Sequence, residues 1–124
     1  MIDATLLFAQ SETDHIYSPW FPRQADMLRV VAECVAVNGA ALVVKLYTKS
    51  LSDPGDGDPV NTSVSIELNA VGRSAATEWK TVSGQEGVQQ LLRFRYTVTG
   101  ESSNNWILFR LLPAVWFDAV VGAP

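Results

Sequence analysis

Apolar and polar residues alternate along most of this chain with the two-residue period of β-strands. In the segment NTSVSIELNA, residues 61–70, every second residue is apolar and predicts one buried row, made of Val64, Ile66, Leu68 and Ala70. In LLRFRYTVT, residues 91–99, the corresponding row is Leu92, Phe94, Tyr96 and Val98. Because successive side chains of a strand point to opposite faces, each segment predicts a strand with one face in the core.

Two further alternating segments are separated by the dipeptide Asn38-Gly39. ALVVKLYTK predicts a buried row of Leu42, Val44, Leu46 and Thr48, and ADMLRVVAECVAV predicts one of Leu28, Val30, Ala32, Cys34 and Ala36. Asn-Gly is a strong signal for a two-residue hairpin, since a type I′ turn needs positive φ at both central residues. The pattern therefore predicts that these two strands are antiparallel neighbours.

Weaker alternation predicts four more strands, at Thr5 to Gln10, Thr77 to Val82, Trp106 to Leu112 and Val115 to Val121. Turn-rich pieces such as SPWFP, VGRS and TGESSNN separate the predicted strands. A chain of 124 residues fits a single domain, so we assign residues 1–124 to one. About eight short strands predict an all-β, two-sheet antiparallel sandwich that is jelly-roll-like, and an immunoglobulin-like sandwich is the alternative.

Composition narrows the possible partners. A net charge of −4 argues against direct nucleic-acid binding, which draws its affinity from clustered Lys and Arg. No apolar run approaches the roughly 18 residues of a membrane span, and the first residues lack a signal-peptide pattern. We therefore expect synthesis in the cytoplasm and no membrane partner. The lone cysteine, Cys34, has no partner for an internal disulfide and lies among apolar residues, as a small buried side chain would.

The acidic segment LSDPGDGDPVN is a candidate calcium loop because it carries Asp53, Asp56 and Asp58. Counted from Asp53, the EF-hand positions 3, 5 and 12 fall on Gly55, Gly57 and Val64, so that motif is not met. An irregular calcium site on the three aspartates stays open. The alternative is a solvated turn whose aspartates accept hydrogen bonds from their own backbone.

Residues for catalysis are few in this sequence. The only histidine is His15, it has no nucleophile motif beside it, and one histidine with one cysteine falls short of a zinc site. We therefore predict a non-enzymatic protein without a cofactor.

Aromatic and cationic residues suggest contact with a partner. HIYSPWFPR places Tyr17, Trp20 and Phe21 in a proline-bounded segment, where rigid aromatic side chains can anchor a partner, stack on sugars or close one end of the sandwich. Arg93 and Arg95 share one face of a predicted strand and form a cationic stripe for acidic side chains or a phosphate.

Two questions about these residues stay open from the sequence. Arg110 joins Arg93 and Arg95 if its strand lies nearby, and the alternative pairs these arginines with Glu33 and Glu67 across the outer face. Trp79, Trp106 and Trp116 lie in predicted strands, and we expect at least two of them to pack in the core.

The short acidic chain with one cysteine, about eight strands and the pieces SPWFPR, NGAALVVKLYTK and LLRFRYTVTG resembles the small jelly-roll decoration or cementing proteins of tailed bacteriophage heads. This resemblance implies a non-enzymatic virion protein that binds the major capsid protein, or other shell subunits, on the outside of the shell as a homo-oligomer. It assigns no functional residue. The alternative is a carbohydrate-binding β-sandwich module that stacks sugars on Tyr17, Trp20 and Trp79.

Overall fold

The computed structural model describes residues 4–9, 15–76, 78–80 and 87–118, and the secondary structure of these residues is entirely β. It contains no helix that could cross a membrane in this part of the chain. Parts of two predicted strands, from residue 81 and from residue 119 onward, lie outside the described residues, as do Gln10 and Thr77. The strands are β1 Thr5–Phe8, β2 Ile16–Tyr17, β3 Phe21–Pro22, β4 Met27–Arg29, β5 Val31–Asn38, β6 Ala40–Lys49, β7 Asp58–Pro59, β8 Ile66–Leu68, β9 Gly72–Ala75, β10 Leu91–Gly100, β11 Trp106–Leu111 and β12 Val115–Phe117.

Two antiparallel sheets pack against each other as a sandwich. The four-stranded sheet has the order β1-β11-β5-β9. The six-stranded sheet has the order β2-β10-β6-β7, with β3 also paired to β10 and β8 to β6. β2 and β3 follow one another along β10, as β7 and β8 do along β6, so each pair acts as one interrupted strand. Apart from β6 and the interrupted strand β7/β8, which share the six-stranded sheet, consecutive strands of these two sheets thus cross from one sheet to the other, as in a double-sheet jelly roll and unlike an immunoglobulin-like sandwich.

The predicted hairpin at Asn38-Gly39 is wrong, because β5 and β6 belong to different sheets. Gly39 has φ of 68°, whereas Asn38 lacks the positive φ of a type I′ turn. β6 pairs instead with β10 over all ten of its residues, and β5 pairs with β11 and β9. Pairing along these longer strands outweighs the local preference of the Asn-Gly dipeptide, which serves as a corner between the sheets.

The inward rows match most of the alternation in the sequence, but Val37 packs against the core in place of the predicted Ala36, because β5 has a bulge at Val35. Leu42, Val44 and Leu46 of the six-stranded sheet are fully buried, and so are Ala32 and Cys34 on the four-stranded sheet. Leu28 and Val30 are buried too, Leu28 in β4, which pairs with β12 as a separate two-stranded sheet. Leu92 and Val98 are also buried, while Phe94 and Tyr96 are partly exposed and pack against the core. Ala70 departs from its predicted row: β8 ends at Leu68, and residues 69–71 bend toward β9 and are exposed.

An ion-pair group occupies the outer face of the four-stranded sheet. Arg110 Nε donates to Glu33 Oε1 at 2.7 Å, and Arg73 Nε donates to Glu33 Oε2 at 2.9 Å. Arg110 therefore does not join Arg93 and Arg95, which lie on the other sheet. The hydrogen bonds from Arg73 and then Arg110 lower the pKa of Glu33 below its ordinary value of 4.5.

Acid should remove the contribution of Glu33 to stability. Since the folded-state pKa is lowered, the contribution is present above about pH 4.5 and is lost as the pH falls through the lower folded-state pKa. We expect the melting temperature of Glu33→Gln to fall less than that of the wild type between about pH 6 and about pH 3. Glu101→Gln, which changes an exposed carboxylate, is the control. Parallel melting curves of Glu33→Gln and the wild type would contradict this assignment.

Candidate functional site

Cations and aromatic rings gather on the outer face of the six-stranded sheet. Antiparallel register places Arg93 opposite Tyr47, and Arg95 opposite Lys45. Because Leu46 and Thr48 are fully buried, their neighbours on β6 point outward. Four of the nine lysines and arginines of the chain lie on this face. We call it the cationic–aromatic face, and it consists of Tyr17, Trp20, Lys45, Tyr47, Lys49, Arg93 and Arg95.

Arg93 is the centre of the cationic–aromatic face. Its Cζ lies 3.9 Å from the ring centroid of Tyr17 and 4.4 Å from that of Trp20, both within cation–π distance. Arg93 Nη2 donates to the carbonyl oxygen of Asp56 at 3.1 Å and lies 3.5 Å from the Asp56 carboxylate. The Arg93 side chain is 13% exposed, so these contacts hold the guanidinium in one position at the surface.

The aspartate loop borders the face beside Trp20. Lys49 Nζ lies 4.5 Å from the Trp20 ring centroid and donates to the carbonyl oxygen of Gly55 at 3.0 Å. Gly57 has φ of 83°, and a Cβ there would lie 2.6 Å from the carbonyl oxygen of Thr48 and 3.0 Å from Trp20 Cη2. Only glycine fits this approach without strain. The loop is therefore packed directly against β6 and Trp20.

Arg95 and Tyr47 extend the face along the two strands. Arg95 donates to the Tyr47 hydroxyl, and its Cζ lies 4.9 Å from the Tyr47 ring centroid. The Tyr17 and Tyr47 rings meet edge to face, with centroids 6.1 Å apart. Burial raises the pKa of Tyr47, so its hydroxyl stays protonated at neutral pH. Cations and rings thus form one continuous row of contacts across the face, from Lys49 to Arg95.

The three aspartates of the loop are not brought together around a cation site. Asp53 Oδ1 accepts a hydrogen bond from the Gly55 amide at 2.7 Å, as the turn interpretation expects. Asp56 points toward Arg93, with its side chain 95% exposed, and Asp58 belongs to β7. Among the residues that the structure describes, no group of three acidic, histidine or cysteine side chains is placed to hold a metal ion.

Calcium is therefore expected to leave the melting temperature of the protein unchanged. A ligand that binds only the folded state raises the melting temperature by mass action, so a true calcium site would show a rise in calcium and a fall in EDTA. We expect equal melting temperatures in calcium, in EDTA and in magnesium at matched ionic strength, measured by scanning calorimetry. A rise of several degrees in calcium alone would establish a calcium site on the loop.

Phe21 and Trp79 lie away from the cationic–aromatic face. Phe21 turns inward, with its ring centroid 5.4 Å from that of Phe94, and packs against the core. Trp79 is fully buried, and its Nε1 donates to the carbonyl oxygen of Val64 at 3.2 Å. Trp116 also packs against the core, which confirms that at least two of the three strand tryptophans are core residues. Trp79 is therefore unavailable for the sugar stacking that the sequence allowed.

Of the five contact candidates, the structure brings four together: Tyr17, Trp20, Arg93 and Arg95. Their partners are not the predicted ones, because Arg93 contacts Asp56 and Arg95 contacts Tyr47, whereas Glu33 binds the arginines of the other sheet. His15, beside this group, lies with Nδ1 2.8 Å from Thr97 Oγ1.

Sequence reasoning missed Lys45, Tyr47 and Lys49. Their signal was present, because alternation put all three residues on the polar row of β6. The pairing of β6 with β10, which brings that row next to Arg93 and Arg95, was hidden by the incorrect hairpin.

Comparisons with known proteins add no relative. No protein-family model matches the chain, and neither a curated protein nor a solved structure matches it. The function must therefore be argued from the chemistry of the described surface.

Proposed function

We propose that this chain is a structural protein of a virus particle, a decoration or cementing protein that binds the outside of the shell through its cationic–aromatic face. The partner would be the major capsid protein or another shell subunit. The observation that supports this proposal is the set of preordered arginines beside surface rings, with Arg93 next to the exposed Tyr17 and the partly exposed Trp20.

The residue types on this face are those that contribute most to protein–protein binding. Trp, Tyr and Arg are enriched among the interface residues whose truncation costs the most affinity. Arg93 and Arg95 are already held by rings and hydrogen bonds, so less side-chain entropy is lost when a partner binds. A rigid face of this kind suits a permanent contact with a shell.

Charge points to an acidic partner surface. The chain carries a net charge of −4, yet four of its nine cations lie together on this one face. Complementary charge steers association and excludes partners of like charge. The expected contact on the shell is therefore a patch of aspartate and glutamate side chains.

The cationic–aromatic face suits a sugar less well than an acidic protein. Sugar stacking needs open ring faces, but Arg93 lies against the rings of Tyr17 and Trp20, and Lys49 lies against Trp20 as well. Trp79, the third ring of the carbohydrate alternative, is buried. A double-sheet jelly roll occurs in both viral capsid and lectin domains, so the fold alone does not choose between these functions.

Co-sedimentation with assembled shells tests the proposal. Purified chain is mixed with assembled shells of a tailed bacteriophage's major capsid protein, and the pellet is assayed over a range of chain concentrations. We expect saturable binding that weakens as salt rises, because salt screens the charge contacts. A chain that stays in the supernatant at every shell concentration, while binding an insoluble polysaccharide, would overturn the proposal in favour of the carbohydrate alternative.

A further inference from the structure

β1 is an edge strand that lacks the usual protection of an edge. Thr5–Phe8 pairs with β11 in a regular register, and the described part of the chain places no strand on its other side. Natural edge strands are shielded by charged residues, prolines or bulges that prevent pairing with another chain. The sequence TLLF contains neither a charge nor a proline, and its pairing with β11 contains no bulge.

The backbone of β1 presents a defined set of groups at this edge. The Ala9 amide donates to the carbonyl oxygen of Asn105 at 2.8 Å, so Ala9 is directed toward the β11 side. In an antiparallel ladder, alternate residues direct both their N–H and their C=O to the same neighbour. Thr5 and Leu7 therefore also face β11. The N–H and C=O groups of Leu6 and Phe8 face the open edge.

Exposed apolar side chains accompany these open backbone groups. Leu6 is 50% exposed and Phe8 is 49% exposed. The register places them beside Leu108 and Trp106 on the outer face of the four-stranded sheet, where the four side chains form one apolar patch. Apolar patches next to open strand edges are typical of protein contact surfaces.

We infer that β1 pairs with β1 of a second copy of this chain, antiparallel and around a two-fold axis at Leu7. In this register Leu6 lies opposite Phe8 of the second copy, and Leu7 lies opposite its own counterpart. All the open groups of Leu6 and Phe8 then find hydrogen-bond partners, because these two residues are spaced symmetrically about Leu7. The strand is thus complementary to itself, as a two-fold contact requires.

The absence of charge on β1 allows a second copy to occupy this edge. Each chain carries a net charge of −4, and its copies repel one another at long range. β1 has no charged residue, so two copies can meet here without placing like charges opposite each other. Leu6 and Phe8 would form apolar cross-strand pairs on both sides of the axis.

The symmetry of this dimer fixes the direction of the cationic–aromatic faces. The two-fold axis of an antiparallel strand pair is perpendicular to the sheet, so both four-stranded sheets keep their outer faces on one side. Both six-stranded sheets then lie on the opposite side, with their cationic–aromatic faces pointing the same way. The dimer would then bind the shell through both faces at once, a consequence that rests on the proposed function. The dimer itself does not depend on it.

Cysteine cross-linking tests the register directly. In the double variant Leu6→Cys/Phe8→Cys, the facing residues are a hydrogen-bonded pair with Cα atoms about 5.5 Å apart, within the range that a disulfide spans. In either single variant, the equivalent Cα atoms are about 8 to 9 Å apart, beyond that range. The native Cys34 is 1% exposed and should not take part. On a non-reducing gel, we expect the double variant to run at twice the 13.5 kDa of the chain and both single variants as monomers.

Light scattering on the full chain gives an independent readout. We expect a wild-type dimer at high micromolar concentration, and a monomer for Leu6→Pro, which removes an N–H directed to the open edge while keeping the ladder with β11. Leu6→Ala keeps this N–H and should remain largely dimeric, and circular dichroism shows whether each variant is folded. A wild-type monomer would overturn the inference and would mean that something else, including residues outside the described part of the chain, covers β1. Cross-linking of the single variants as efficient as that of the double variant would also overturn it.

Discussion

Replacing Trp79 with alanine is expected to lower the free energy of unfolding by about 4 kcal/mol. The side chain is 0% exposed and among the largest fully buried ones in the described part of the chain. Its removal leaves a cavity between the sheets and unpairs the carbonyl of Val64, which accepts the indole N–H at 3.2 Å. The backbone N–H and C=O groups of Trp79 both hydrogen-bond with Leu28 of β4. The substitution therefore lies where the segment around Trp79 is attached to β4.

Urea unfolding followed by circular dichroism measures this loss. Leu51→Ala is the control, because Leu51 is 68% exposed and its truncation should change stability by no more than about 0.5 kcal/mol. If Trp79→Ala lowers the free energy of unfolding by less than about 1 kcal/mol, the indole is not a core side chain, and it could again be considered as a ring that stacks on a sugar.

Under the proposed function, replacing Arg93 with alanine is expected to weaken binding to the shell at least tenfold. The guanidinium contacts Tyr17 and Trp20 and also holds Asp56, so its loss removes a fixed charge and frees the rings beside it. Truncating a hot-spot residue of an interface costs about 2 kcal/mol or more, and about 1.4 kcal/mol corresponds to a factor of ten. Arg93→Lys keeps the charge but loses the planar group that stacks on rings, so we expect an intermediate affinity.

Binding isotherms from shell co-sedimentation measure these affinities. Lys80→Ala removes an equal charge from a position away from the cationic–aromatic face and should bind like the wild type. Melting temperatures of all variants separate a loss of contact from a loss of fold, and the salt dependence of binding should flatten for Arg93→Ala. If Arg93→Ala binds the shell with wild-type affinity, Arg93 is not part of the contact.

The sequence predicted which side chains face the core better than it predicted which strands pair. Burial of Leu42, Val44 and Leu46 follows from local alternation, since one pleated strand needs no knowledge of its neighbours. Pairing is different: the partner of β6 is β10, which begins more than forty residues after β6 ends. A strong local turn signal at Asn38-Gly39 therefore suggested the wrong neighbour.

The candidate site was predicted only in part for the same reason. Tyr17, Trp20, Arg93 and Arg95 were recognised by residue type, and the fold brings them together. Phe21 was grouped with them by sequence proximity, but the register along β10 shifts by one residue between β2 and β3. Phe21 therefore pairs with the buried Leu92 and lies on the inner face. The pairing of β6 with β10 brings Tyr47 and Lys49 into the site, and the path of the aspartate loop brings Asp56 to Arg93. Neither contact can be predicted from a local sequence pattern.

Electron cryomicroscopy of shells mixed with the purified chain tests the central claim most directly. The proposal predicts extra density of one small sandwich per binding site on the outer surface, with the six-stranded sheet toward the shell and Arg93 and Arg95 facing acidic side chains. Shells without added density at saturating chain concentration would contradict it. Density in which the chain contacts the shell through a surface other than the cationic–aromatic face would contradict it as well.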